Sequence, residues 1–326
     1  MLVLKIWEEP QEEEYQTCYY LNSHWEQFTV ITLEENHRQG DDFEYANILN
    51  RIRTGDETEE DITALRNRER SEGHKDLEGD TYISCTNEVV NKFNNIRINE
   101  LQAEVLEVEA VSFHQTIKNF KPKVDHKKGT VGSMSFLQCL KFKVGCKVML
   151  IHNIDTYDGL TNGAVGILIH AFKDSHGAIT RLLIRFDEEW RGKEKCKKYP
   201  QIEAQYPGCV PIENIQWAYT IGKDPNRASS RATVYQFPII VSFAATSHKF
   251  QGQEIAKPNT AALDQKTAFA EGTSYVMLSR VTSLKHMYIV GKINEKKIYP
   301  SVKALSELKR MESMSINRNP SIWDKS

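Results

Sequence analysis

Two short stretches of this chain gather residue types that could do chemistry. The first runs Thr246-Ser247-His248-Lys249-Phe250-Gln251-Gly252. A hydroxyl, an imidazole and an ammonium fall within four residues, and each can bond phosphate oxygens without reading a base. The glycine allows close backbone approach to a ligand. The second stretch, residues 273–283, reads TSYVMLSRVTS and carries Arg280. Arginine supplies a fixed charge and a planar fork of donors, which suits phosphate oxygens better than lysine does. Each feature also has a plainer reading. A lone histidine is commonly a satisfied, partly buried side chain, and a lone arginine commonly sits in a surface salt bridge.

The elements around these stretches follow from composition. Ile239, Ile240, Val241 and Phe243 form an apolar, β-branched run, expected to be a buried strand that empties into the 246–252 turn. Sheets with helices on their faces present chemistry at such strand ends. Ala262-Leu263-Asp264 suggests another short strand. Tyr275, Val276, Leu278 and Val281 could fill one helix face, leaving Arg280 to project elsewhere. Upstream, residues 28–33 alternate like a strand and run into Glu34-Glu35-Asn36-His37-Arg38-Gln39. Tyr45, Ile48, Leu49 and Ile52 are spaced for a helix that Thr54-Gly55 stops, and a second short helix is expected over 59–70. Residues 81–85 read as a strand, and Thr86 or Asn87 could cap the helix after it. Residues 105–113 read as one strand and 114–135 as a polar, lysine-rich loop.

The motif Thr246-x-His248-Lys249-x-Gln251-Gly252 resembles motif V of superfamily-one DNA helicases, and Tyr275 through Arg280 to Ser283 resembles motif VI. The Asn36-x-Arg38 segment after a strand resembles motif IV. Order and separation together resemble the Pif-type helicases and their RecD relatives. The resemblance implies an α/β fold: a RecA-like second motor domain, of the P-loop NTPase type, interrupted by an SH3-like all-β insertion. It implies a 5′-to-3′ ATP-dependent DNA unwinding motor in which Arg38 and Arg280 meet the γ-phosphate. By the same resemblance Gln251 and Gly252 lie toward the nucleotide, and Thr246, His248, Lys249, Asn36, Thr86 and Asn87 face single-stranded DNA. Thr86 and Asn87 read as well as capping residues. ATP and Mg²⁺ are the implied cofactors of the complete motor.

From 142 to about 219 the pattern is all-β: residues 144–151, 166–170, 181–186 and 210–215 are strand-like. Asn162-Gly163 and His176-Gly177 supply tight turns. A small barrel is expected, and Gly145 to Gly166 resembles the start of the SH3-like insertion of Pif-type helicases. The expected organisation is an acidic segment over 1–27, first motor part over 28–113, linker over 114–141, β insertion over 142–235, second motor part over 236–311 and a frayed tail over 312–326.

The first 80 residues hold 21 acidic and 8 basic residues, net −13, and the rest hold 23 and 34, net +11. A basic body suits a polyanionic partner, although a lysine-rich solvated surface would give the same count. The six cysteines are scattered without a C-x-x-C pair, which favours reduced thiols over a zinc site and a reducing compartment. That fits the nucleus or a mitochondrion in a eukaryote and the cytoplasm otherwise. No apolar run is long enough to span a bilayer.

The sequence contains no G-x-x-x-x-G-K-[ST]. Asp187-Glu188 mimics a metal-binding strand end, but Arg181 and Arg185 flank its apolar run, and a barrel strand with a solvated acidic end is expected. The resemblance therefore covers one half of a motor. The chain alone is expected to hold no nucleotide tightly. The phosphate-cradling half would lie in cis upstream or act in trans; the alternative is a non-catalytic module that binds single-stranded nucleic acid.

Overall fold

A computed structural model describes residues 38–40, 42–72, 81–114, 124–125, 130–131, 137–220, 231–250, 255, 260–268, 272–298, 300 and 302–314. The chain divides into two compact units: residues 1–90 with 245–326, and residues 91–244.

In the first unit, five strands lie in the order Glu69–Arg70, Met287–Val290, Ala261–Leu263, Thr81–Ser84, Ala244–Thr246. The pairs from Glu69–Arg70 through Thr81–Ser84 are parallel. Thr81–Ser84, Ala261–Leu263 and Ala244–Thr246 are buried along their whole lengths, as strands covered on both faces must be. This is the RecA-like α/β architecture. Helix Phe43–Thr54 starts where the Asp42 carboxylate accepts the Tyr45 N–H and ends at left-handed Gly55, φ 78°, whose N–H bonds the Arg51 carbonyl. Tyr45, Ile48, Leu49 and Ile52 form its buried face, as their spacing requires. Helix Glu59–Arg66 opens with a Thr58/Asp61 capping box, and Asp61 also accepts Arg51 Nε at 2.7 Å.

That second helix ends four residues short of its expected limit. Arg68 donates to the Met287 carbonyl at 2.9 Å, and the guanidinium groups of Arg68 and Arg70 stand over the Tyr288 ring at 4.6 and 4.9 Å. Pairing with the Met287–Val290 strand outweighs the helical propensity of a charged segment. Helix Val302–Met314 runs past residue 311, into the stretch expected to fray.

In the second unit, the largest sheet has the order Val210–Ile212, Ile179–Phe186, Val165–Lys173, Lys147–Leu150, Ile239–Val241, all antiparallel. Its core includes Phe142, Leu150, Leu160, Leu168, Leu182 and Phe237. Gly163 and Gly177 take the expected turns at φ 94° and 84°. Gly166 is required for another reason: a Cβ there would meet the Arg185 carbonyl oxygen at 2.5 Å. Asp187 and Glu188 follow strand Ile179–Phe186 of this antiparallel sheet and are exposed, so they do not end a strand of the first unit's sheet.

One expected strand is reassigned. Ile239–Val241 belongs to this antiparallel sheet, with Ile239 opposite Leu150 and Val241 opposite Val148, not to the sheet of the first unit. The strand ahead of the 247–250 turn is Ala244–Thr246. An apolar β-branched run specifies burial, not a partner, and both sheets offer burial. The crossing between the two strands is fixed by buried Asn94. Its Oδ1 accepts the Ala244 N–H at 2.8 Å, and its Nδ2 donates to the Ala244 carbonyl at 3.0 Å and the Val241 carbonyl at 3.3 Å. Helix Asn87–Glu100 carries the chain from the first compact unit into the second, which spans residues 91–244.

The expected strand over 105–113 is two strands. Leu106–Glu109 pairs with Cys139–Phe142, and Val111–His114 pairs with Arg231–Gln236. The switch occurs at buried Ala110, whose N–H donates to the Gln138 carbonyl. Within the expected 114–135 loop, Val124–Asp125 and Thr130–Val131 pair antiparallel. Among the described residues no helix is long and apolar enough to cross a membrane, and no group of three or more His, Cys, Asp or Glu could hold a metal. The five described cysteines are free, and burial pushes the Cys146 thiol up to about 11.

Candidate functional site

The first unit brings Arg38 and Arg280 to one place. Arg38 Nη1 donates to the Ser279 carbonyl at 3.4 Å, across 241 residues of sequence. Arg280 Nη2 donates to the Ser279 hydroxyl at 3.0 Å. Burial lowers the pKa of Arg280, and the nearby positive charge of Arg38 lowers it further. Two guanidinium groups this close repel each other unless an anion lies between or beside them.

Arg280 does not project freely, as the helix-face argument expected. Helix Thr273–Leu278 stops before it, with Gly272 at φ 72° as its left-handed N-cap. Arg280 is 7% exposed, and Nε and Nη1 donate to the carbonyls of Val276 and Phe250 at 3.0 and 3.3 Å. Its side chain is therefore held in a fixed orientation by the backbone of the two motif-bearing segments.

A series of hydrogen bonds fastens residues 38–45 to residues 278–284. Buried Gln39 donates to the Val281 carbonyl at 3.0 Å. The Tyr45 hydroxyl donates to the Leu278 carbonyl at 2.8 Å. Asp42 Oδ2 accepts the Ser283 hydroxyl at 2.7 Å and the Leu284 N–H at 3.1 Å. Burial raises the Asp42 pKa, but those bonds, the Tyr45 N–H and nearby Lys285 outweigh it and hold the carboxyl below its ordinary range. Sequence reasoning missed Gln39, Asp42, Ser279 and Ser283, and took Tyr45 for core alone. The one available signal was Asp42, an N-cap type placed just ahead of a helical period.

The 247–250 turn follows strand Ala244–Thr246, and the Lys249 and Phe250 N–H groups close it on the Thr246 carbonyl at 2.9 and 3.2 Å. His248 and Lys249 are exposed, whereas Thr246 and Ser247 are buried. Thr246 is the last residue of its strand, and its carbonyl closes the turn that carries His248 and Lys249. Desolvation by neighbouring atoms lowers the Lys249 pKa although the residue reaches solvent. Thr86 immediately precedes helix Asn87–Glu100, its carbonyl accepts the Val90 N–H at 3.2 Å, and Asn87 is exposed. Asn36, Gln251 and Gly252 lie outside the described residues.

Comparison with known proteins bears on this geometry. The family profile for the DNA helicase Pif1 2B domain matches residues 134–170, inside the barrel unit. The ATP-dependent DNA helicase PIF1 of Candida albicans is 25% identical, over 87% of this chain and 37% of that protein. Over most of its length the chain is similar to Pif1 helicases. The crystal structure of Candida albicans Pif1 superposes with a TM-score of 0.66 at 23% identity, covering 90% of this chain and 64% of that one. Bacteroides Pif1 in complex with ADP-AlF3 and single-stranded DNA superposes with a TM-score of 0.59 at 24% identity, covering 88% and 57%. The chain spans less than two thirds of each of these Pif1 proteins. The Pif1 likeness accounts for the pairing of a RecA-like sheet with a 2B barrel.

Proposed function

We propose that this chain is the C-terminal motor half of an ATP-dependent 5′-to-3′ DNA helicase, and that it turns over ATP only when a P-loop-bearing half completes the cleft. The observation that carries this reading is the meeting of Arg38 and Arg280 at Ser279. Their mutual repulsion suits them to a polyanion, so the donor set fits a triphosphate. When bound, Mg·ATP would supply the phosphoryl group whose transfer spreads negative charge over its oxygens. On this chain's side, Arg38 and Arg280 place fixed positive charge toward that region, and Gln39, Asp42 and Tyr45 position the segments that carry them. Gln251 and Gly252 are proposed to lie toward the nucleotide with them. Exposed His248 and Lys249, with Asn36, Thr86 and Asn87, are proposed to hold single-stranded DNA through its phosphates. Thr246, whose carbonyl closes the turn, is proposed to lie at the same strand end facing the DNA.

The test is turnover in a complete motor assembled from this half and a P-loop half. Arg280→Ala or Arg38→Ala should lower DNA-stimulated hydrolysis by about 10³-fold or more, the scale of an arginine supplied to phosphoryl transfer, and leave single-stranded DNA affinity unchanged. Unaltered turnover in a variant that melts like the parent would remove the assignment. DNA-stimulated turnover by the 326-residue chain alone would overturn the need for a second half. A non-catalytic module that binds single-stranded nucleic acid is the second reading, favoured by the exposed His248–Lys249 turn and the net +11 beyond residue 80. It requires that a P-loop half, when added, produce no hydrolysis while DNA binding persists.

A further inference from the structure

In the first unit the carboxyl ends of the strands are joined in series. The Ser247 N–H donates to the Ser84 carbonyl at 2.9 Å. The Ser84 hydroxyl and the Cys85 N–H both reach the Thr267 hydroxyl, at 3.1 and 2.8 Å. Next along, Lys297 Nζ donates to the Lys266 carbonyl at 2.7 Å. Buried Gln265 holds Asn294 from both sides, accepting its N–H at 2.6 Å and donating to its carbonyl at 2.9 Å. The Ile293 N–H is held by Glu69 at 2.8 Å. The turn after Met287–Val290 is thus clamped in place at the same sheet edge as the His248–Lys249 turn.

That turn is strongly basic. Lys266 and residues 292–297 line an open cleft of about 500 Å³, and four of the seven are lysines. The one carboxylate there, Glu295, is engaged by Arg66, and Lys266 is paired with Glu72 at 2.7 Å. Lys292 and Lys296 are exposed and have no carboxylate partner among the described residues. Like charges gathered on a rigid turn repel one another, and a bound polyanion would relieve that cost. From the 247–250 turn to the 291–297 turn is three strand spacings, about 14 Å at ~4.8 Å each. That distance is about four nucleotides at ~3.4 Å per stacked nucleotide.

We propose that this ledge is a second phosphate-binding segment: single-stranded nucleic acid held at the His248–Lys249 turn continues across the strand ends onto Lys292 and Lys296. The proposal rests on the reading that the 247–250 turn holds single-stranded DNA. Contact is to the backbone, so it extends the footprint without adding base preference.

The test is titration of the full chain with fluorescent oligo(dT) across a range of salt concentrations, comparing Lys292→Ala/Lys296→Ala with His248→Ala/Lys249→Ala and the parent. Each lost contact to a single strand lowers the slope of log K against log salt by about 0.7. The lysine pair should therefore lower it by about 1.4 and weaken binding about 25-fold at ~0.1 M salt. Both lysines are exposed, so the melting curve should match the parent's. A parental slope in the lysine variant, with a reduced slope in the turn variant, overturns the ledge and keeps the turn. No salt-dependent binding by the parent overturns both.

Discussion

Replacing Asp42 with alanine should loosen the attachment of the Arg38 segment to the Arg280 segment, and the size of the effect follows from its contacts. Asp42 caps helix Phe43–Thr54 through the Tyr45 N–H and also accepts the Ser283 hydroxyl and the Leu284 N–H. Losing a helix cap costs about 1 kcal/mol. Hydrogen bonds to a charged acceptor contribute about 1.5–3 kcal/mol each, less where water can replace the acceptor. Asp42 is half-buried, so the total should be about 2–4 kcal/mol, a fall in melting temperature of roughly 5–15 °C for a unit of this size. Urea unfolding of the parent, Asp42→Ala, Ser283→Ala and the double variant measures both the loss and the coupling, expected at about 1–2 kcal/mol. The pH arm has a defined sign. The folded carboxyl titrates below its ordinary value, so its contribution is complete above about pH 4–5 and is lost as pH falls through the lower folded value. The gap between the parent and Asp42→Ala should therefore be constant from about pH 5 to 8 and narrow below about pH 4. A variant within about 0.5 kcal/mol of the parent at pH 7, or strict additivity with Ser283→Ala, would refute the reasoning.

Two further outcomes concern the units separately. Gly166→Ala should destabilise the barrel by about 2–3 kcal/mol, near the top of the range for overpacking, because the added carbon meets the Arg185 carbonyl and the Phe186 Cα rather than a movable side-chain tip. Parental stability by chemical denaturation would mean that the Val165–Lys173 and Ile179–Phe186 strands are not so closely paired. Burial raises the Asp264 pKa despite a hydrogen bond from Tyr82. The parent should lose stability as pH rises from the ordinary aspartate value through the raised one, and stay lower above it. Asp264→Asn should be more stable than the parent at pH 8 and show no such loss; a difference independent of pH would argue against burial as the cause.

Much of this protein was legible in residue order alone. Helix Phe43–Thr54 carries its face in Tyr45, Ile48, Leu49 and Ile52 and its stop in Gly55, all within one short window. Turns at Gly163 and Gly177 are equally local, because only a residue without a side chain takes φ near 90° without strain. Arg280, the His248–Lys249 pair and Arg38 stood out through their resemblance to helicase motifs VI, V and IV. The tertiary structure decided what local windows do not contain. It assigned Ile239–Val241 to the barrel, because an apolar run is satisfied by either sheet and only the buried Asn94 clamp fixes the crossing at 241–244. It buried Arg280 against carbonyls at 250 and 276. It also brought Arg38 to Ser279 from 241 residues away. Hydrogen bonds between distant segments depend on where the backbone passes in space, and residue order records only where it passes in sequence.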